Sequence, residues 1–153
     1  MKSFDPIVIC FGSWLEISAE AAYQDLSVAV IEEGPFGGTC LNRGCIPSKR
    51  LIHCTDVIET IRNAHLFGIT AKVDSINWRF IMDRTYKEID ADAAGIEEGN
   101  RQDSNISVFK GRDRFVGDKT LEVNGDRLQA DKIVITAGTR PWVPSIPGLD
   151  TVP

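Results

Sequence analysis

The sequence predicts an α/β fold: a parallel β-sheet with helices packed against it and a small antiparallel β-meander. The first observation is a pair of apolar runs, 6–10 and 28–32, that flank helix-forming residues at 15–24. Strand, helix and strand within about 30 residues are typical of a βαβ unit with a right-handed crossover. The second is an apolar run at 132–136, which predicts another buried parallel strand. The third is a series of short extended segments before that run.

The remaining elements follow from local signals. Ser13 is a candidate N-cap for the first helix. A long helix is predicted from Cys45 to about residue 64, because Pro47 is tolerated in a first turn and apolar residues recur near the helical period. A second long helix is predicted from residue 76 to about 101. The meander comprises the segments 106–109, 113–116, 120–123 and 127–129, with Asn124 and Gly125 as its hairpin turn.

Length and composition indicate a single globular domain over residues 1–153. The chain is 42% hydrophobic and 25% charged, with a mean hydropathy of −0.11. A net charge of −5 argues against nucleic acid or an anionic membrane surface as a partner. No apolar run reaches the ~20 residues that span a bilayer, and the first residues do not resemble a signal peptide. Four cysteines do not make a disulfide scaffold, so we expect a protein of the reducing cytoplasm.

The stretch 37–49, GGTCLNRGCIPSK, carries the clearest chemistry. It separates Cys40 and Cys45 by four residues and places the second at the start of the predicted helix. A helix N-terminus favours a thiolate, and so short a loop lets the two Cα atoms come within about 6 Å, which a disulfide requires. Gly37 and Gly38 would let the backbone approach a ligand closely. The stretch is therefore compatible with a redox dithiol.

Two other interpretations of the cysteines remain open on residue types alone. Cys40 and Cys45 could be buried thiols, or half of a zinc site. A zinc site needs a second ligand pair at metal spacing, which His53, Cys54 and His65 do not supply, so we expect no metal. The cysteines outside the pair are expected to be packed thiols, because free cysteine behaves as a small hydrophobe.

The chain resembles a known family, the flavin-dependent pyridine nucleotide–disulfide oxidoreductases, which include dihydrolipoamide dehydrogenase, glutathione reductase, mercuric reductase and mycothione reductase. The stretch 37–49 matches the redox-active disulfide motif of this family at essentially every position. Val28–Glu32 is similar to the second strand of its FAD domain. Residues 133–141 and 146–148 are similar to the strand and loop that close the first part of that domain. The resemblance implies the N-terminal part of a Rossmann-like, FAD/NAD(P)-binding domain.

The resemblance also implies a role for each matching residue. Cys45 would lie against the flavin and Cys40 would exchange with a disulfide substrate, so that the pair relays two electrons. Glu32 would bind the FAD ribose. The other cofactor-binding positions would be a surviving fingerprint glycine, two residues of the dithiol stretch, a lysine near the flavin ring and two residues after the last strand: Gly12, Gly38, Thr39, Lys49, Ala137 and Gly138.

The dinucleotide fingerprint departs from the family pattern. A G-x-G-x-x-G turn is expected after the first strand, but its glycine positions hold Cys10, Gly12 and Leu15, with the bulky Trp14 beside them. Asp25 stands where a glycine commonly ends the first helix. Because the departures cluster on the face that should hold FAD, we hypothesise a refilled cofactor pocket. FAD held through a shifted backbone is the alternative.

Three functions are compatible with these residues. The first is the FAD-binding part of a disulfide reductase, redox-competent at Cys40 and Cys45 but without turnover alone. Its partners would be the nicotinamide and dimerisation domains of a parent enzyme, and a homo-oligomer could form through an exposed domain edge. The second is a remodelled or engineered scaffold that does not bind FAD and holds a small ligand, or uses Cys10 as a thiol nucleophile with His53 as base. The third is a binding module without chemistry.

Overall fold

A computed structural model describes residues 1–10, 12 and 15–152, apart from the side chains of residues 15 and 150. The predicted N-cap Ser13, the indole of Trp14 and the Leu15 side chain therefore lie outside the described residues. The described elements are, in chain order, β1 (Lys2–Ile9), α1 (Leu15–Tyr23), β2 (Val28–Glu32), α2 (Gly38–Arg43), α3 (Cys45–Arg62), a 3₁₀ turn (Ala64–Phe67), α4 (Trp78–Gln102), β3 (Ile106–Lys110), β4 (Asp113–Gly117), β5 (Thr120–Val123), β6 (Asp126–Ile135) and a 3₁₀ turn (Leu149–Thr151).

The described strands form one six-stranded sheet in the order β3-β2-β1-β6-β5-β4. The first four strands of that order run parallel, and β5 and β4 continue the sheet antiparallel. All five residues of β2 are buried, because a parallel strand is covered on both faces. The arrangement confirms the predicted α/β class with its meander.

Two apolar clusters cover the two faces of the parallel strands. On one face Ile7 of β1 belongs to the same cluster as Leu121 of β5, so the meander covers this side. On the other face Val30 of β2 packs with Ala22 of α1 and Ile96 of α4. Burying one such large apolar side chain contributes about 1.5–3 kcal/mol. The sheet is thus held between helices and meander, and its carboxyl edge carries the loops of the candidate site.

Strand β6 is longer than the sequence predicts. The segments 127–129 and 132–136 were expected to be separate strands, but a single strand, Asp126–Ile135, includes nearly all of both. Its first residues pair antiparallel with β5, while its whole length from Leu128 onward pairs in parallel with β1. The pairing with β1 keeps the strand continuous across the polar residues between the two apolar runs, a long-range effect that local pattern does not show.

Helices α3 and α4 lie side by side and are connected by ion pairs. Arg50 of α3 forms ion pairs with Glu88 and Asp92 of α4, and its Nη2 lies 2.9 Å from the Asp92 carboxylate. No residue of α3 is fully buried, so its predicted apolar stripe does not enter the core. Helix α4 begins at Trp78 with Asn77 as N-cap, whose side chain accepts a hydrogen bond from the Phe80 N–H at 3.0 Å. No helix among the described residues is long and apolar enough to cross a membrane.

Candidate functional site

The loops of the candidate site meet where the strand order reverses. β1 leads to β2 and β3 on one side, and β6 pairs with β1 on the other. Gly12 follows β1, and Ala137 and Gly138 follow β6, at the same edge. Thr136 links the two strand ends, because its hydroxyl donates to the carbonyl oxygens of Ile9 (2.9 Å) and Cys10 (2.5 Å). A reversal of this kind opens the crevice in which open α/β sheets bind ligands.

Two glycines bring the loop after β1 against the dithiol stretch. A Cβ on Gly38 would lie 2.4 Å from the Cα of Gly12, a distance that real Cβ atoms do not adopt. Gly38 also has a φ of 58°, in the left-handed region that glycine favours. The sequence predicted that Gly38 permits a close approach to a ligand. In the structure, the atoms nearest to Gly38 on its open side are those of the Gly12 backbone.

Cys10 keeps the backbone conformation of a glycine. Its φ is 66°, although it carries a side chain. The thiol is half-buried, and its pKa is raised, first by burial and then by the nearby charges of Glu32, Asp113 and Glu33. This direction opposes the hypothesis of a low-pKa nucleophile at Cys10. Its proposed base, His53, lies beside Cys54 in a groove between α3 and α4, and no hydrogen bond among the described residues joins it to Cys10.

Glu32 ends β2 at the same carboxyl edge. It is only 8% exposed, and its Oε1 accepts a hydrogen bond from the Gly34 N–H at 2.7 Å. Its strand partner in register is Lys110 of β3, whose ammonium contacts the Gly34 carbonyl oxygen and lies 5.1 Å from the Phe36 ring centroid. The carboxylate is therefore held at the strand end, and its role with a ribose stays a prediction.

A sharp turn at Gly44 brings the two cysteines together. Cys40 lies in the short helix α2 and Cys45 opens α3, with Gly44 as the single residue between the helices. A Cβ on Gly44 would lie 2.9 Å from the Thr39 carbonyl oxygen and 3.3 Å from the Cys40 Cα. Only glycine therefore allows this turn without a backbone shift. We call residues 38–49 the dithiol junction.

Helix α2 was not predicted, because six residues with a glycine at the start are too few for a stable isolated helix. It is held by Asn42, whose side-chain amide donates to the carbonyl oxygens of Phe36 (3.0 Å) and Gly38 (2.9 Å). The positioning role of Asn42 was not predicted from the sequence. The only local signal was an amide side chain next to a glycine-rich loop, whose carbonyl oxygens need donors.

The thiols of Cys40 and Cys45 are both free in this structure, and the Cys45 side chain is close enough to affect the pKa of Cys40. The pKa of the Cys40 thiol is raised, first because it donates a hydrogen bond to the Cys45 side chain, and then because of partial burial and the charge of Cys45. The backbone N–H of Cys45 acts in the opposite direction.

The other predicted residues of the junction are accessible. Thr39 is exposed and precedes Cys40 in α2, and Lys49 is exposed on α3. Lys49 follows Cys45 by four residues, so the two side chains lie on the same face of the helix, one turn apart. The structure thus brings Gly12, Gly38 and the two thiols into one region, with Lys49 at its margin.

Known proteins are similar to this chain in sequence and fold. The chain matches the family model described as "Pyridine nucleotide-disulphide oxidoreductase" over residues 12–152. It is 37% identical over 150 residues to mycothione reductase from Mycobacterium tuberculosis, covering 94% of this chain and 32% of that protein. Dihydrolipoyl dehydrogenase from Thermus scotoductus is 33% identical over 147 residues, covering 92% and 30%.

A solved structure extends the similarity to three dimensions. The HOCl-induced flavoprotein disulfide reductase RclA from Escherichia coli superposes with a TM-score of 0.76 at 26% identity, over 97% of this chain and 31% of that one. The chain spans about a third of the length of these relatives. From the match to the family model and the shared fold, the chain belongs to the pyridine nucleotide–disulphide oxidoreductase family and matches the FAD-binding region of its members.

Proposed function

We propose that the chain holds FAD at the carboxyl edge of β1, β2 and β6 and that Cys40 and Cys45 form a redox dithiol beside it. The observation that carries the proposal is the placement of Cys40 and Cys45 on either side of the one-residue turn at Gly44, at a junction whose Gly38 packs on the Gly12 backbone. A disulfide requires Cα atoms within about 7 Å of each other, which a tight turn between the two cysteines favours.

The described residues fit a dinucleotide at its backbone contacts. Cys10 and Gly38 both have positive φ, the backbone conformation that glycine adopts readily, and this supports a close approach of the backbone to a diphosphate. Glu32 lies at the end of the neighbouring strand, where an acid can bind a ribose hydroxyl. Gly12, Glu32, Gly38, Ala137 and Gly138 would hold the cofactor.

The proposed thiol–disulfide exchange involves the two cysteines and a disulfide substrate. The Cys40 thiolate attacks a substrate disulfide, which forms a mixed disulfide and releases one substrate thiolate. The Cys45 thiolate then attacks the Cys40 sulfur, releases the second substrate thiolate and leaves a Cys40–Cys45 disulfide. Two electrons pass to the substrate, and the two dithiol protons go to the released thiolates. A bound flavin in its reduced form would supply the two electrons that, with two protons, restore the dithiol.

The raised pKa of Cys40 limits this exchange. At neutral pH the thiol keeps its proton, so attack on a disulfide needs a base that removes it. Within the described residues no histidine belongs to the dithiol junction. We therefore propose that the chain does not sustain NAD(P)H-driven turnover alone, and that base and nicotinamide site come from further domains of the kind its longer relatives contain.

Cofactor binding is tested by spectroscopy. The purified chain is mixed with excess FAD and desalted, and the flavin absorbance that stays with the protein is measured. We expect retained flavin near one equivalent. Gly38→Ala should lose it, because the added Cβ collides with Gly12, whereas Gly95→Ala, whose Cβ would meet nothing within 4 Å, should keep it. A colourless wild-type chain after desalting would sink the cofactor proposal.

The dithiol is tested separately by thiol counting. After incubation with oxidised dithiothreitol, the denatured protein should show two titratable thiols in place of four. Peptide mapping should place the new disulfide between Cys40 and Cys45. Cys54→Ser should leave the disulfide unchanged, while Cys40→Ser should abolish it. A pair that stays reduced under these conditions contradicts the redox role.

A second candidate function rests on Cys10. Its side chain occupies the position of the first fingerprint glycine and packs half-buried against the core. A remodelled pocket that excludes FAD but keeps the dithiol would give a positive thiol test and a negative flavin test. The Cys10→Gly variant should then regain flavin binding, which distinguishes a blocked pocket from one that never binds the cofactor.

A further inference from the structure

A groove of about 340 Å³ lies between α3 and α4, away from the dithiol junction. We call it the α3–α4 groove; its walls include Cys54 and Ile58 of α3, Ile76 of the preceding loop, and Phe80, Ile81 and Arg84 of α4. Cys54 follows Cys45 by nine residues, more than two helical turns along α3. The groove is therefore a separate feature from the proposed redox site.

The walls of the groove are mostly apolar and accessible, and the polar side chains of His53, Ser75 and Asn77 also line it. Ile76 is 56% exposed and Phe80 60% exposed, although both line the same concave surface. Covering such side chains with an apolar group removes their surface from water at about 25 cal/mol per Å². A groove of this size lies at the lower end of the range for small-molecule sites. Its shape and lining suit a small apolar body.

Arg84 places a positive charge at this groove without a carboxylate partner. Its Nη2 donates to the Cys54 sulfur at 3.7 Å, and its guanidinium carbon lies 6.0 Å from the Phe80 ring centroid. Among the described residues no acid lies within ion-pair distance of it. Glu88, the residue one turn further along α4, is instead paired with Arg50 of α3.

This arrangement selects the charge of a ligand. The chain carries a net charge of −5, so an anion is repelled by the molecule as a whole and binds only where a local cation attracts it. A guanidinium next to an aromatic ring and an aliphatic wall matches a molecule with one carboxylate and an apolar body. A neutral molecule would form no ion pair with Arg84.

We propose that the α3–α4 groove binds a small amphipathic monocarboxylate, with the carboxylate on Arg84 and the alkyl or aryl body against Ile58, Ile76 and Phe80. Binding here needs neither FAD nor an oxidised dithiol, so the inference goes beyond the proposed function. A ligand in this position also covers the Cys54 thiol, which lines the same groove.

Octanoate is the probe, and its neutral analogue octanamide is the matched ligand. Titration of the ¹⁵N-labelled chain with octanoate should give saturable shifts confined to residues around the groove. Octanamide should bind about fivefold more weakly, and Arg84→Gln should weaken octanoate by a similar factor. Arg79→Gln removes an exposed charge from the same helix and should leave the affinity unchanged.

Two further measurements separate a site from general adhesion. Ile76→Ser, in an exposed loop, should weaken octanoate without lowering the melting temperature, because it removes only a wall of the groove. Saturating octanoate should slow the alkylation of Cys54 by iodoacetamide severalfold and leave Cys40 unaffected. Absent saturation, shifts spread over the whole surface, or an Arg84→Gln affinity equal to that of the wild type would each overturn the proposal.

Discussion

At the scale of single residues, two residues that carry side chains have a backbone conformation that glycine normally adopts. Cys10 and Asp25 stand where the family resemblance leads one to expect glycine, and their φ angles are 66° and 60°. An L-residue in the left-handed region costs about 1–2 kcal/mol. The fold therefore imposes a positive φ at two positions where the sequence does not place a glycine.

Asp25→Gly should stabilise the chain. Asp25 is exposed at the end of α1, where the N–H groups of residues 25 and 26 donate to the last-turn carbonyl oxygens of Ala22 and Ala21. Glycine relieves the strained φ and removes an acid from a helix C-terminus, which outweighs its greater entropy when unfolded. We expect a gain of about 0.5–1 kcal/mol in unfolding free energy by urea denaturation. Asp25→Asn, which removes only the charge, should gain less, and a less stable glycine variant would refute the argument.

Cys45→Ala should make Cys40 more reactive. The side chain of Cys45 is the largest cause of the raised pKa of Cys40, and alanine removes both its hydrogen bond and its charge while the backbone N–H remains. With a lower pKa, more of Cys40 is thiolate at pH 7–8. Peptide-mapped alkylation by iodoacetamide against pH should show the Cys40 profile shifted to lower pH. Cys45→Ser, which retains a polar side chain, should shift it less, and an unmoved alanine profile would contradict the pairing.

At the scale of elements, the junction of α2 and α3 decides whether the dithiol exists. The helices carry the cysteines, but the turn at Gly44 sets the distance between them. Its nearest neighbours are backbone atoms of Thr39 and Cys40, which cannot rotate away as a side chain could. One residue between two helices thus controls a functional distance.

Gly44→Ala and Gly95→Ala should have opposite effects. The first forces backbone apart and should cost about 1–3 kcal/mol of stability. It should also lower the equilibrium constant for the Cys40–Cys45 disulfide by roughly tenfold, since about 1.4 kcal/mol of strain corresponds to that factor. The second places alanine on an open face of α4 and should gain about 0.5–1 kcal/mol. Urea denaturation and thiol counting against a dithiothreitol buffer measure both, and equal effects would refute the steric explanation.

At the scale of the whole molecule, burial is unevenly distributed. The parallel strands contain most of the fully buried residues, while α3 contains none. The helix is attached by half-exposed ion pairs from Arg50, and such pairs contribute little, about 0–1 kcal/mol each. The molecule therefore combines a firm sheet with a loosely held helical surface that carries Cys45.

Hydrogen exchange should show this division. We expect the slowest backbone amides in β1, β2 and the part of β6 that pairs with β1, with protection near the global unfolding free energy. Amides of α3 should exchange faster by at least an order of magnitude, because local opening exposes little apolar surface. Exchange followed by mass spectrometry resolves the two regions. Equal protection of α3 and β2 would mean that the helix is held by contacts other than those described.

The sequence by itself determined the α/β class, the βαβ start, the hairpin at Asn124 and the family motif, because each depends on residues close together in the chain. The continuous strand β6 and the short helix α2 were beyond it, since one depends on pairing with β1 and the other on the Asn42 amide.

Only the tertiary structure decided how the site is assembled. The contact of Gly38 with Gly12, the glycine-like φ of Cys10 and the direction of the Cys40 pKa all arise from segments that lie apart along the chain or from a turn that its letters do not specify. The charge of Arg84 at the α3–α4 groove has the same origin, because a residue of another helix takes its acidic neighbour. The reactive residues of this protein can therefore be recognised from short stretches of sequence, whereas the distances between them are set by tertiary packing.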